Sequence, residues 1–196
     1  MYTSLRDRAV SALKKKLINA LVVKEESYPV PSFDRVDIQK GCIISPDSII
    51  GKYTYIGFNT NITKSVIGNY CSIASLVSIG DGEHPLDDIS TNSIFYEQSY
   101  ATLTQKDCII GNDVWIGTQS VIRRGVKIGD GAVVGANSFV NKDVPDFAVV
   151  AGSPARIIKY RFVEKIRSVI KESKWWELDI EYARKKIIKL RQLAVN

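Results

Sequence analysis

The sequence predicts a mainly β fold in which short strands stack into a β-helix with flat faces. Three observations predict it: an aliphatic residue recurs every six positions, a glycine often follows it, and a small or β-branched residue usually stands four positions after it. A period of six fits neither the turn of an α-helix nor an unbroken two-sided strand. It fits a short strand followed by a tight corner, where we expect glycine to supply the backbone freedom.

The aliphatic register runs through most of the chain. One step of five, from Ile62 to Ile67, and one interruption break it. Stacked coils would bury these side chains as one continuous column. An ordinary β-sandwich is the alternative, but a sandwich does not hold a six-residue register over this length. The register positions are Ile38, Ile44, Ile50, Ile56, Ile62, Ile67, Ile73, Ile79, Ile110, Ile116, Ile122, Ile128, Val134 and Val140.

The segment before the repeat predicts an amphipathic helix over residues 1–24, because Leu5, Leu13 and Leu17 share a face and basic residues lie elsewhere. Such a helix could lie on a membrane surface or pack on the protein. The absence of a Trp or Phe anchor favours packing over membrane contact. Pro29 and Pro31 end this segment, so residues 1–30 form a helix and linker.

Two further segments follow from breaks in the register. Residues 85–104 interrupt the repeat and predict a loop inside a β-helix of residues 31–153. Insertions in stacked repeats leave as loops on one face, often the binding face. Residues 154–196 predict two helices with apolar faces, and Trp175 and Trp176 between them are expected to pack this tail onto the body.

Composition limits the classes of function. The chain of 196 residues fits one domain, and its net charge of +6 suits a nucleic acid, an anionic membrane or a phosphate-bearing small molecule. The basic residues are scattered among acidic ones, which argues against nucleic acid. Neither a membrane span nor a secretory signal is recognisable, so the sequence predicts a cytoplasmic protein.

Metal chemistry is not expected. Cys42, Cys71 and Cys108 are widely spaced, and His84 is the single histidine. Metal sites in proteins usually combine several His or Cys ligands at short spacings. Cys42 and Cys71 fall on the small inward position of the repeat, which is typical of core packing.

Together with the repeat, three motifs resemble the left-handed β-helix acyltransferases. They are Gly-Glu-His-Pro-Leu-Asp around His84, Ile-Gly-Asn-Asp-Val-Trp-Ile-Gly around Trp115, and Ala-Gly-Ser-Pro-Ala-Arg ending at Arg156. Within that family the chain is most similar to the xenobiotic acetyltransferase branch and to enzymes that O-acetylate bacterial capsule and lipopolysaccharide sugars. The resemblance implies left-handed coils, acetyl-coenzyme A as co-substrate, and a homotrimer with active sites between subunits.

His84 is the candidate general base. A sugar hydroxyl is a poor nucleophile at neutral pH, and histidine is the side chain best suited to remove its proton there. A carboxylate is expected to orient the imidazole, and Glu83, Asp87 and Glu97 are the candidates, with Glu83 adjacent in sequence. Direct transfer needs no enzyme nucleophile, which leaves a cysteine route as the weaker alternative.

The cofactor residues are predicted from charge and from the resemblance. Coenzyme A carries phosphates, and a basic group at Lys142, Arg156, Lys159 and Arg161 stands near the end of the repeat. The resemblance assigns phosphate contacts to Lys142 and Arg156 and places Trp115, Thr118 and Ala136 along the cofactor cleft. Asn141 stands where many relatives carry threonine.

Four functions remain open from the sequence. The first is O-acetylation of a surface polysaccharide or lipopolysaccharide sugar. The others are inactivation of an antibiotic, N-acetylation of a nucleotide-linked amino sugar, and a catalytically inactive β-helix scaffold. His84, Trp115 and the closing motif argue against the scaffold.

Overall fold

A computed structural model describes residues 35–194, so the predicted helix of residues 1–24 and its linker lie outside the described residues. Sixteen strands follow one another. They are β1 (Asp37–Ile38), β2 (Ile43–Ile44), β3 (Ile49–Ile50), β4 (Tyr55–Ile56), β5 (Asn61–Ile62), β6 (Ser65–Ile67), β7 (Ser72–Ile73), β8 (Ser78–Ile79), β9 (Cys108–Ile110), β10 (Trp115–Ile116), β11 (Val121–Ile122), β12 (Lys127–Ile128), β13 (Val133–Val134), β14 (Phe139–Val140), β15 (Ala148–Gly152) and β16 (Ala155–Tyr160).

The strands form three sheets, one on each face of a prism. Face A contains β1, β4, β7, β10, β13, β15 and β16; face B contains β2, β5, β8, β11 and β14; face C contains β3, β6, β9 and β12. Neighbours within a face are parallel except β15 and β16. From β1 to β14 every third strand therefore stacks on the same face, and the predicted parallel β-helix is confirmed.

The core is the predicted column. In the two-residue strands the first residue points outward and the register residue points inward, as in β10, where Ile116 is fully buried and Trp115 is exposed. The small inward positions close the corners by hydrogen bonding: the Thr54 hydroxyl donates to the Gly68 carbonyl at 3.0 Å and the Thr60 hydroxyl to the Ala74 carbonyl at 2.9 Å. These bonds pair polar groups that would otherwise be buried without a partner.

The role expected for the glycines is wrong at most corners. Left-handed backbone falls two residues later, as at Gln119 (φ 56°), whereas Gly117 two positions before it has no positive φ. Gly117 is required for another reason: a Cβ there would lie 2.5 Å from the backbone nitrogen of Ala136 in the next coil. Where glycine does follow the aliphatic residue, the neighbouring coil approaches too closely for a side chain.

The three corners carry different attachments. We name them by the faces they join: the A–B corner (117–119 and 135–137), the B–C corner (123–125 and 141–143) and the C–A corner (111–113 and 129–131). The insertion leaves at the B–C corner after β8 and returns at β9, with a 3-10 turn (Ser93–Phe95) and a short helix α1 (Ser99–Leu103).

The C-terminal segment packs on the C–A corner. Helices α2 (Glu164–Ser173) and α3 (Ile180–Ala194) confirm the two predicted helices, and no helix of the described residues is long and apolar enough to cross a membrane. Trp175 and Trp176 are buried with Phe147, as expected. The sequence did not predict β16, which returns antiparallel along β15 before α2 begins.

The inward orientation of the register residues can be tested with two substitutions in a single strand. Ile110 and Ile109 are consecutive in β9, but Ile110 is 2% exposed and Ile109 is 42% exposed. We expect Ile110→Ala to lower the free energy of unfolding by about 2–5 kcal/mol, because it leaves a cavity in the column. Ile109→Ala should cost less than about 1 kcal/mol. Urea unfolding at one protein concentration measures both, and equal losses would contradict the inward register.

Candidate active site

The insertion at the B–C corner closes on itself at its base. The Glu83 amide donates to the Leu103 carbonyl at 2.9 Å, which joins the two ends of the insertion. The Lys64 ammonium, on the coil below, donates to the Thr104 carbonyl at 2.9 Å. The segment that carries His84 therefore starts from a fixed neck.

Two consecutive arginines on the next coil hold this neck. The Arg123 guanidinium donates two hydrogen bonds to the Glu83 carboxylate, from Nε at 2.6 Å and from Nη2 at 2.8 Å. This pairing raises the pKa of Arg123, so the fork stays charged over the physiological range. Planar bidentate pairing of this kind fixes direction as well as distance.

Arg124 points inward beneath the neck. It is only 9% exposed, and its guanidinium donates to the carbonyls of Thr63 (2.9 Å), Lys64 (3.0 Å) and Lys106 (3.1 Å). One side chain thus ties together the coil below the insertion and the chain that returns from it. The sequence register could have predicted the position of both arginines. It places residues 123–124 directly above Gly80, where the insertion begins.

His84 lies at a cavity of about 490 Å³ on the outside of the B–C corner. Its imidazole is exposed, and Nδ1 lies 3.4 Å from the Tyr96 hydroxyl. Among the described residues, no carboxylate is hydrogen bonded to the imidazole: Glu83 faces Arg123 instead. The role expected for Glu83 as a direct orienting group stays a prediction, and the structure gives Tyr96, which the sequence analysis missed, as the neighbour of Nδ1.

The rest of the cavity is largely polar. Lys106 and Lys142 contribute ammonium groups, and Gln105 and Asn141 contribute amides. The Asn141 side-chain oxygen is buried and accepts no hydrogen bond from the described residues.

The other predicted cofactor residues lie away from this cavity. Trp115 is 55% exposed on face A. Thr118 and Ala136 lie at the A–B corner, where the Thr118 hydroxyl donates to the Ser75 carbonyl at 2.7 Å. Arg156 lies on β16 opposite Ala151, with its guanidinium exposed.

The basic residues near the end of the repeat do not form one group. Lys142 is at the B–C corner, whereas Arg161 is at the C–A corner and donates to the Asp113 carboxylate at 2.9 Å and the Gly131 carbonyl at 2.7 Å. Burial raises the pKa of Asp113 although Arg161 opposes the shift. Arg161 is therefore bound within the protein, and Lys142 and Arg156 remain as phosphate candidates on separate parts of the surface.

Within one chain, His84, Glu83 and Lys142 share the cavity at the B–C corner. Trp115, Thr118, Ala136 and Arg156 lie on face A and at the A–B corner, with face B in between. The described residues contain no group of three or more His, Cys, Asp or Glu side chains that could hold a metal ion.

Comparison with known proteins identifies similar chains. The family model of the bacterial transferase hexapeptide repeat matches residues 107–142. A chloramphenicol acetyltransferase of Agrobacterium fabrum is 33% identical over 178 residues, which cover 77% of this chain and 85% of that protein. The chloramphenicol acetyltransferase of Morganella morganii is 39% identical over 62% of this chain, and the match spans 63% of its length.

The chain is also similar to a relative named for a different substrate and to a solved acetyltransferase structure. A putative lipopolysaccharide biosynthesis O-acetyl transferase of Escherichia coli K12 is 36% identical over 61% of each chain. A solved structure of a hexapeptide-repeat-containing acetyltransferase from Vibrio cholerae, in complex with acetyl coenzyme A, superposes with a TM-score of 0.53. It is 28% identical, and the match covers 81% of this chain and 90% of that one.

The consecutive arginines generate a matched pair of variants. Arg124→Met removes guanidinium hydrogen bonds to three part-buried carbonyls, of which only that of Thr63 keeps a side-chain donor among the described residues, the Ser65 hydroxyl at 2.8 Å. We therefore expect it to lower the free energy of unfolding by about 2–3 kcal/mol. Arg123→Met breaks an exposed ion pair and should cost less than about 1 kcal/mol. Urea denaturation of the two variants measures the difference. A larger loss from Arg123→Met than from Arg124→Met would contradict the assignment of Arg124 as the internal tie.

Proposed function

The chain belongs to the hexapeptide-repeat acyltransferases, and from that premise we propose that it transfers an acetyl group from acetyl-coenzyme A to a hydroxyl of a bacterial surface polysaccharide or lipopolysaccharide sugar. The observation that carries the proposal is the place of His84, the single histidine of the chain. It stands beside a cavity of about 490 Å³, at the one corner where an insertion leaves the repeat.

His84 acts as the general base in this proposal. The imidazole removes the proton of the acceptor hydroxyl as its oxygen attacks the thioester carbonyl of acetyl-coenzyme A. The tetrahedral intermediate then expels the coenzyme A thiolate, and the imidazolium returns the proton to that sulfur. The products are the acetyl ester and free coenzyme A, so the step balances without an added co-reactant.

Direct transfer is favoured over a covalent acetyl-enzyme. Cys71 lies in the core, and burial raises its pKa to about 12, which leaves its thiol protonated and unreactive at neutral pH. Cys42 and Cys108 are also buried in the column, and burial raises the pKa of each. None of the three can reach the cavity beside His84 without opening the core.

Coenzyme A is proposed to lie along Trp115, Thr118 and Ala136 with Arg156 of the same copy contacting its phosphates, while Lys142, which shares the cavity with His84, contacts them from the neighbouring copy. Because His84 and Trp115 lie on opposite sides of face B, a complete site requires His84 of one copy and the cofactor cleft of another. This separation supports a homotrimer with its active sites between subunits.

The polar cavity favours a saccharide acceptor. Lys106, Gln105 and Asn141 line it with polar groups that match sugar hydroxyls. Similarity to the lipopolysaccharide O-acetyl transferase supports the same acceptor class. The second candidate is inactivation of an antibiotic, which the similarity to chloramphenicol acetyltransferases favours.

The role of His84 gives the first functional test. We expect His84→Ala to lower kcat by about 10²–10⁴ and to leave the affinity for acetyl-coenzyme A nearly unchanged, because a base stabilises the transition state and not the bound cofactor. Steady-state kinetics and calorimetry measure the two quantities. Retention of most of the turnover, or an acetylated protein that forms without acceptor and is discharged by it, would remove His84 from this role.

The cofactor assignment gives the second test. Arg156→Ala should raise the KM for acetyl-coenzyme A at least about tenfold with little change in kcat, since a phosphate contact far from the thioester contributes to binding in both ground and transition states. Lys165→Ala, which removes the same charge from an exposed position on α2, is the control. Equal KM values for Arg156→Ala and the control would exclude Arg156 from the phosphate site.

A further inference from the structure

Tyr96 connects His84 to the main chain of the insertion. The Tyr96 hydroxyl oxygen lies 3.4 Å from Nδ1 of His84 and 3.4 Å from the carbonyl oxygen of Ser90. Both distances are longer than those of ordinary hydrogen bonds, so each contact is weak. The two rings are tilted by 53° with centroids 6.1 Å apart, so the contact is made through the hydroxyl and not by stacking.

The segment that presents Tyr96 is held by its own hydrogen bonds. The Asn92 amide donates to the Ser90 hydroxyl at 3.1 Å, and the Ile94 amide donates to the Asn92 side chain at 3.0 Å. The Tyr96 amide donates to the Ser93 carbonyl at 3.1 Å. Ser90 and Tyr96 are therefore the two ends of one bonded turn, which keeps the hydroxyl near the Ser90 carbonyl.

The Tyr96 hydroxyl has a single proton, and this determines which atom donates in each of the two hydrogen bonds. A carbonyl oxygen can only accept, so both contacts are hydrogen bonds at the same time only when the single proton of the Tyr96 hydroxyl is directed to Ser90. The hydroxyl then offers only a lone pair to the imidazole, and Nδ1 must carry the proton between them. In a neutral imidazole with its proton on Nδ1, Nε2 has the free lone pair.

We propose that Tyr96 is a positioning residue that holds neutral His84 in the tautomer protonated on Nδ1, so that Nε2 is the basic nitrogen. The catalytic consequence rests on the proposed role of His84, but the tautomer itself does not. Desolvation and the nearby Asp88 carboxylate raise the pKa of the Tyr96 phenol, which keeps it protonated and able to donate to Ser90.

Tyr96 takes the place in which a carboxylate was expected. Arg123 engages both oxygens of Glu83, and neither Asp87 nor Glu97 is hydrogen bonded to the imidazole within residues 35–194. Neutral histidine free in water prefers the proton on Nε2, the tautomer that has no lone pair at that nitrogen. Removing the Tyr96 hydroxyl therefore shifts the population toward the form that cannot act as a base through Nε2.

The single histidine makes the tautomer directly measurable. In full-length, untagged protein labelled with ¹⁵N-histidine, every imidazole nitrogen signal comes from His84. At a pH above which the two nitrogen shifts no longer change, we expect a protonated-type shift for Nδ1 and an unprotonated-type shift for Nε2. Tyr96→Phe should move both shifts toward those of free histidine.

Tyr100→Phe is the matched control, because Tyr100 lies on α1 in the same insertion and donates to the Asp47 carboxylate instead of His84. It should leave the His84 shifts unchanged. In activity assays Tyr96→Phe should lower kcat about tenfold, within the contribution of a general base, with an unchanged KM for acetyl-coenzyme A.

Two results would overturn the inference: a wild-type protein with the proton on Nε2, or a Tyr96→Phe protein with the wild-type tautomer. The nitrogen shifts need neither acceptor nor cofactor. The two proposals can therefore fail separately. If Tyr96→Phe changes the His84 shifts as expected but His84→Ala remains active, the catalytic role of His84 is rejected and the assignment of Tyr96 is upheld.

Discussion

Stacking of inward Ile and Val side chains at a six-residue interval is the constraint on which the rest of the structure depends. Each register residue lies on the equivalent residue of the next coil, as Ile73 does on Ile116, and parallel backbone bonds hold the coils in register. The close approach leaves no room for a Cβ at Gly117 and requires small inward residues such as Ser120 at the corners. Packing of the column therefore fixes the position of every corner.

The side chains of the proposed site lie at the corners of the prism, and their positions depend on which residues or insertions each corner contains. An insertion at the B–C corner interrupts one coil without shifting the column, because Ile79 pairs with Ile122 across it. Arg123 and Arg124 follow Ile122 and so lie where the neck of the insertion must pass. The same register puts Thr118 and Ala136 at the A–B corner, on the other side of face B. Face B separates the two halves of the proposed site within one chain, which makes contact between copies part of the proposed chemistry.

Different residues fix the main chain of His84 and contact its imidazole ring. Arg123 and Glu83 fix the main chain next to the histidine, while the Tyr96 hydroxyl faces the ring itself. A neutral partner on Nδ1 sets the tautomer without placing a negative charge beside the imidazole. Polar side chains around the cavity would then supply contacts for the proposed acceptor, a molecule rich in hydroxyls.

The sequence by itself determined the β-helix, the break that carries His84 and the two C-terminal helices, because these follow from local periodicity. Only the tertiary structure decided which side chains meet His84. The contacts with Tyr96 and between Glu83 and Arg123 depend on how the insertion closes onto a coil 40 residues away. It also decided that Arg161 pairs with Asp113 and that glycines serve close approach at the corners. A repeat encodes spacing along the chain, whereas these contacts arise between coils and within an aperiodic loop, where no period constrains them.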